Sequence, residues 1–407
     1  MRLFVTLVAL TASLAVSGAQ DWNQWRGASR NGAAPSFAAP ATWPERPKQA
    51  WKVSAGVGHS SPVVADGRVY LHSRVGEQEA VTAYALADGR QIWRQTYDAP
   101  YQMNSAATAH GKGPKSTPVL AGGRLYTFGI SGVLSAFDAR DGTVVWRKDF
   151  KAEYPATAPD FGTAMSPAVD GGLLIAHVGG DKNGALTAFD TASGRPRWTW
   201  KGDGPAYASP LIGTFGGTRQ VITLTQKNLV GLAAADGRLL WQIPFTTDYE
   251  QNSVTPLVIG DMVVYGGLSK PTTAMRITRE ASKWKTEQIW QNADTSMYMS
   301  SPVVSDGLLF GLTHRKSGQF FCLDAQSGKT LWTTRGREGD NAALIVAGEY
   351  LMAVTTEGEL IVARKSAKSF DVVKRYTVAE SPVWAHPAPA GRGLVIKDAE
   401  TLAYWTF

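Results

Sequence analysis

One cysteine in 407 residues, Cys322, leaves this chain neither an internal disulfide framework nor a multi-cysteine metal site. Beyond the first 20 residues, no stretch stays apolar for the roughly 20 positions that a membrane-spanning helix needs. Charged residues are scarce at 18%, and the signs are interspersed: 41 Lys and Arg against 34 Asp and Glu give a net charge of +7. With no Lys/Arg block, this mild excess favours solubility and weak affinity for anionic surfaces over nucleic-acid binding. There is no Gly-x-Ser-x-Gly elbow, no Cys-x-x-Cys-His haem site and no His-x-x-x-His pair. HGKGPKS, at 110–116, fails the phosphate-loop pattern because Pro114 stands where glycine must precede the lysine.

Glycine and tryptophan are abundant, at 42 and 14 residues, which speaks for many turns and large packing anchors in an all-β protein. The chain opens MRLFVTLVALTASLAVSGAQ, with Arg2, an apolar run and small residues Ser17 and Ala19. This pattern predicts a signal peptide over 1–19, cleaved near Ala19-Gln20, and a periplasmic or secreted product. No cysteine follows the cleavage point to carry a lipid, so the product is not expected to be a lipoprotein. Residues 20–47 are read as an extended N-terminal segment and 48–407 as a single repeat domain, expected to be monomeric.

The repeat begins with a Ser/Thr-Pro step at Ser61-Pro62, Thr117-Pro118, Ser166-Pro167, Ser209-Pro210, Thr255-Pro256 and Ser301-Pro302, spaced 43 to 56 residues apart. Degenerate copies start near Ala343 and His386. Each copy runs apolar strand, tight turn (Asp66-Gly67, Gly122-Gly123, Asp306-Gly307), second strand, loop, third strand, turn, and a fourth strand ending in Trp. Asp-Gly and Gly-Gly supply the positive φ angles of two-residue hairpins. Pro is tolerated where a strand begins. Trp93, Trp146, Trp198, Trp241, Trp290 and Trp332 share one position, where an indole can fill the wedge between sheets and donate its N–H to a neighbour. Trp51 carries the same motif with no three strands before it. Four antiparallel strands per copy predict β-propeller blades. The last copy has room for three strands, so the segment around Trp51 is expected to supply its fourth and close an eight-bladed ring; seven blades is the alternative. The fifth copy replaces Asp-Gly by REASKWKTEQIW, and the seventh ends VVKRYTV without its Trp.

The unit SPVV-DG-VY…ALDA-SG-LW resembles the PQQ-like β-propeller repeat of quinoprotein alcohol dehydrogenases and of BamB-type outer-membrane assembly factors. The resemblance covers the mature chain and is specific for fold rather than activity. The dehydrogenase branch implies PQQ with calcium, held beside a pair of adjacent cysteines and by acidic and amide side chains; Cys322 has no cysteine neighbour. The BamB branch implies a scaffold, but an acylated cysteine is absent. The favoured expectation is a module binding a protein, peptide or envelope ligand on its polar loop face. The other expectation is a PQQ-dependent oxidoreductase without the cysteine pair.

In such a ring the links between blades and the loops between second and third strands share one face, where sites usually lie. The candidates there are His59, Tyr101, His110, Lys112, Lys115, His177, Tyr207, Gln251, Asn252, Tyr298, His314, Arg315, Asn341, Trp384 and His386. All six histidines, His72 included, map to this face, with His59 and His386 expected as a pair near the channel. The lysines of the 110–116 loop suit an acidic ligand or partner. No local spacing marks a metal site, and the tryptophan series is read as structural.

Overall fold

The structure, a computed structural model, describes residues 22–407; the expected signal peptide and its cleavage point lie outside the described residues. Eight four-stranded antiparallel sheets form the blades of a β-propeller, which settles the choice between eight and seven. In the first blade the strands run Val63–Ala65, Arg68–Val75, Gln78–Ala85 and Gln91–Asp98, from the axis outwards. The eighth sheet joins the chain's two ends. Ala388–Ala390, Gly393–Lys397 and Thr401–Thr406 are completed by Lys48–Ser54 as the outermost strand, with Lys48 opposite Thr406 and Ser54 opposite Thr401. The last strand of the chain is thereby covered at the seam.

The repeated tryptophans fasten each blade to the next. Trp51, Trp93, Trp146, Trp198, Trp290 and Trp332 donate their indole N–H to Leu86, Ala139, Thr191, Ala234, Ala325 and Ser366 carbonyls of the following blade, at 2.7–3.2 Å. Each acceptor lies in the turn before the next fourth strand. The turn glycine packs flat on the ring: a Cβ at Gly142, whose φ is +79°, would lie 2.6 Å from the Trp93 ring. Trp241 departs from the pattern. The fifth blade has a long hairpin, Lys270–Glu280 with Lys283–Asn292, where that turn should be, and Trp241 bonds Gln220 Oε1 of its own blade at 2.6 Å.

In five of the six Ser/Thr-Pro steps the residue before proline does more than open a strand. Its hydroxyl accepts the backbone N–H of the preceding blade's equivalent residue: His386 to Ser61, Ser61 to Thr117, Thr117 to Ser166, Ser166 to Ser209, and Thr255 to Ser301. These residues belt the axis where the inner strands begin.

Residues 22–34 fill the axial channel. Trp22 pairs with Val64, Asn23 with Leu120, and Gly32 and Ala34 with Val346. Arg26 reaches the Pro302 carbonyl, and Arg30 the Ser166 and Pro167 carbonyls at 2.8 and 2.9 Å. Both guanidiniums are buried, and burial lowers their pKa values to about 9. The strap then packs Phe37 and Trp43 against Tyr350 and Phe407 before entering the eighth blade.

Candidate functional site

The belt and the strap leave a cavity of about 210 Å³ on the axis, opening on the loop face. Its walls come from the links between blades, which the ring brings to one centre. The residue three places before each blade-opening proline lines it in seven copies: His59, Lys115, Ala164, Tyr207, Ser253, Met299 and Trp384. Trp25 of the strap also lines it, its indole N–H on Thr255 Oγ1 at 3.0 Å.

The 110–116 loop is fixed to its neighbour by one carbonyl. Pro114 O accepts both the His59 and Ser60 N–H groups, at 2.8 and 2.9 Å. Gly113 and Gly58 meet at this crossing, where a Cβ on Gly113 would lie 2.4 Å from the Gly58 Cα. The clamp brings His59, His110 and Trp384 together, with ring centroids 4.7 Å apart for His110 and Trp384 and 6.0 Å for the two histidines. Lys115 Nζ donates to Phe161 O at 2.7 Å, and the Phe161 N–H donates to Tyr207 Oη at 3.3 Å. Tyr298 donates to Gln251 Oε1 at 2.8 Å.

Burial, followed by the charges of His110, Lys397 and Lys115, lowers the His59 pKa to about 3. Burial and Lys115 push His110 down as well. At neutral pH both imidazoles are therefore neutral. Lys115 is lowered to about 8 by burial and keeps its proton at pH 7. Among the described residues no Asp or Glu lines the cavity, so it presents one ammonium against aromatic, thioether and hydroxyl groups.

Seven of the residues named from sequence thus converge: His59, His110, Lys115, Tyr207, Gln251, Tyr298 and Trp384. The others lie outside the cavity lining. Lys112 is exposed in the same loop, and Arg315 is exposed with its guanidinium on Ala293 O at 2.8 Å. Tyr101 lies behind the wall, its hydroxyl buried without a partner. Asn252 is fully buried and holds the Thr225, Gln226 and Phe245 carbonyls. Asn341 is buried and accepts from Ser300. His177 bonds Asp203 O at 3.1 Å, and His314 bonds Ser296 O at 3.0 Å. His386 is buried beneath the cavity, edge-on to Trp25 with centroids 5.2 Å apart. The expected His59–His386 pair does not share the cavity. His72 lies inside the first blade, its Nε2 3.1 Å from Tyr97 Oη and 3.3 Å from Glu79. Trp25, Phe161, Ser253 and Met299 were missed from sequence, although the offset from proline marks the last two.

PQQ with calcium asks for oxygen donors around a divalent ion and cations for three carboxylates. Among the described residues no group of three or more His, Cys, Asp or Glu converges, and Gln251 is the cavity's sole amide side chain. Cys322 is buried in the sixth blade, where burial raises its pKa to about 12. These residues do not fit that group.

A family model described as "Outer membrane protein assembly factor BamB" matches residues 41–103 and 77–334. The chain is 24% identical over 371 residues to outer membrane protein assembly factor BamB of Yersinia pestis, covering 88% of this chain and 78% of that protein. The crystal structure of BamB from Moraxella catarrhalis superposes with a TM-score of 0.64 at 15% identity, covering 89% of this chain and 98% of the other. Quinohemoprotein alcohol dehydrogenase from Comamonas testosteroni superposes at 0.69 and 14% identity, covering 95% and 80%. At these identities the two structures share the fold.

Proposed function

This chain belongs to the BamB-type family of PQQ-like repeat propellers, and on that premise we propose that it is an exported, non-catalytic scaffold that docks a partner protein of the bacterial envelope on its loop face. One surface feature carries this reading. The Asp248–Glu250 turn holds both Tyr249 and Glu250 at positive φ, 58° and 55°, and leaves the Tyr249 ring 83% exposed. Left-handed non-glycine residues are sparsely populated and cost on the order of 1 kcal/mol or more each. Strain kept on a surface to display an aromatic ring suits an interface anchor, because buried tyrosines dominate many protein–protein contacts. Lys182, Lys316 and Arg337, on other loops of the same face, share this backbone conformation. The relatives named as outer membrane protein assembly factors support the choice of an envelope protein as partner.

The test is site-specific photo-crosslinking in the native cell, with the crosslinker at Tyr249 and, as control, at Asp306 on the opposite face. A discrete protein adduct from position 249 and none from 306 is the expected result. Equal labelling, or none at 249, removes the reading. The quinone alternative draws on the likeness to the Comamonas enzyme. It is checked by adding PQQ and Ca²⁺ to the purified protein, for which no rise in melting temperature is expected.

A further inference from the structure

Seven blades each contribute to the axial cavity the side chain three places before their opening proline. The composition of that ring sets what the cavity can hold. Among the described residues it includes one cation, Lys115, and no anion. Lys115 Nζ spends one N–H on Phe161 O, and no described carboxylate lies within ion-pair distance. A half-buried ammonium facing an apolar cavity without a counter-ion is a place for an anionic ligand group.

His59 adds a neutral ring to the wall, its Nε2 enclosed and without a partner. Around Lys115 the other walls are Trp25, Phe161, Tyr207, Met299 and Trp384, which suit the faces and edges of a planar ring. At about 210 Å³ the space is smaller than a pocket for a drug-sized molecule.

We propose that the axial cavity binds a small aromatic monocarboxylic acid, its carboxylate on Lys115 Nζ. This goes beyond docking of a protein on the rim and rests only on the reading of this face as a binding surface.

Calorimetry on the full mature protein at pH 7 tests it with two probe pairs, indole-3-carboxylate with its amide and 4-hydroxybenzoate with its amide. The acids are expected to bind at least about tenfold tighter than the amides, the preference of a charge-assisted contact. Lys115→Met abolishes that preference, whereas Lys112→Met, three residues away and exposed, preserves it. Quenching of tryptophan fluorescence by the acids, lost in Trp384→Leu, places the ligand in the cavity. If Lys115→Met does not fold, Lys115→Gln and competition by benzoate against benzamide, with benzoate expected to compete more strongly, carry the same test. Acid and amide binding equally overturns the anion site; no binding by any probe overturns the cavity as a ligand site. Neither result touches the crosslinking at Tyr249, so failure here and failure of the docking reading are separable.

Discussion

His59, His177 and His386 are buried as neutral imidazoles, with burial the first cause in each case. Their folded pKa values fall to about 3 for His59, about 4 for His177 and well below the ordinary value for His386. In the unfolded chain they protonate near the usual 6.5. Between pH 6.5 and about 4 the unfolded state therefore binds more protons, and stability falls as pH drops, by about 1.4 kcal/mol per pH unit for each proton. Asp181 acts in the opposite sense. Burial raises it to about 6, so the folded form takes its proton first and gains stability as pH falls from 6 towards 4. Three histidines outweigh one aspartate, so urea midpoints are expected to fall steadily from pH 6.5 to 4.5; a flat profile sinks this account. The same residues show why only part of the site was legible. Polar, titratable types in links can be picked out, but His59 and His110 open into the cavity while His177, His314 and His386 bond or pack elsewhere. Seven of the lining residues share one distance from the blade-opening proline. That offset was visible in the sequence; its meaning was not, because nothing local says that Ala164, Ser253 and Met299 share a centre with Lys115.

At the scale of the element, the repeat was legible because each signal has a local cause: Asp-Gly for the hairpin, Pro for the strand start, Trp before the next turn. Beyond local reading lay the reciprocity between neighbours. The glycine of one blade's turn is the floor under the previous blade's indole, and the hydroxyl before proline serves the blade preceding it. In the fifth blade one of these partners is lost. Its long hairpin offers Trp241 no turn carbonyl, and Gln220, fully buried, replaces it. Gln220→Leu keeps the volume and leaves the indole N–H without a partner, which is expected to cost about 1–3 kcal/mol. Trp241→Phe made in that background should cost less than the same change in the native protein. Denaturant melts of the double-mutant cycle measure the difference, and strict additivity would show that the bond carries no coupling.

The ring as a whole depends on seven residues that arrive early in the chain and pair with the last strand. Lys48–Ser54 is the outer strand of the eighth blade, and Trp51 docks on Leu86 of the first. The strap before it fills the axis. Two truncations separate these contributions. A chain beginning at Arg46 loses the strap and keeps the closing strand; one beginning at Val57 loses both and leaves Thr401–Thr406 as an open edge. An unpaired edge next to an undocked blade invites pairing with another chain. The Arg46 form is therefore expected to be destabilised yet monomeric, with its axis open to water. The Val57 form is expected to melt lower still and to self-associate. A synthetic peptide spanning 46–56 should restore the Val57 form towards the Arg46 form in a concentration-dependent way, since it binds the folded ring and not the unfolded chain. Melting curves and light scattering read both effects. If the two truncated chains melt together and the peptide changes neither, the seam does not hold the ring closed, and the strap's contacts with the inner strands are what keep eight blades in register.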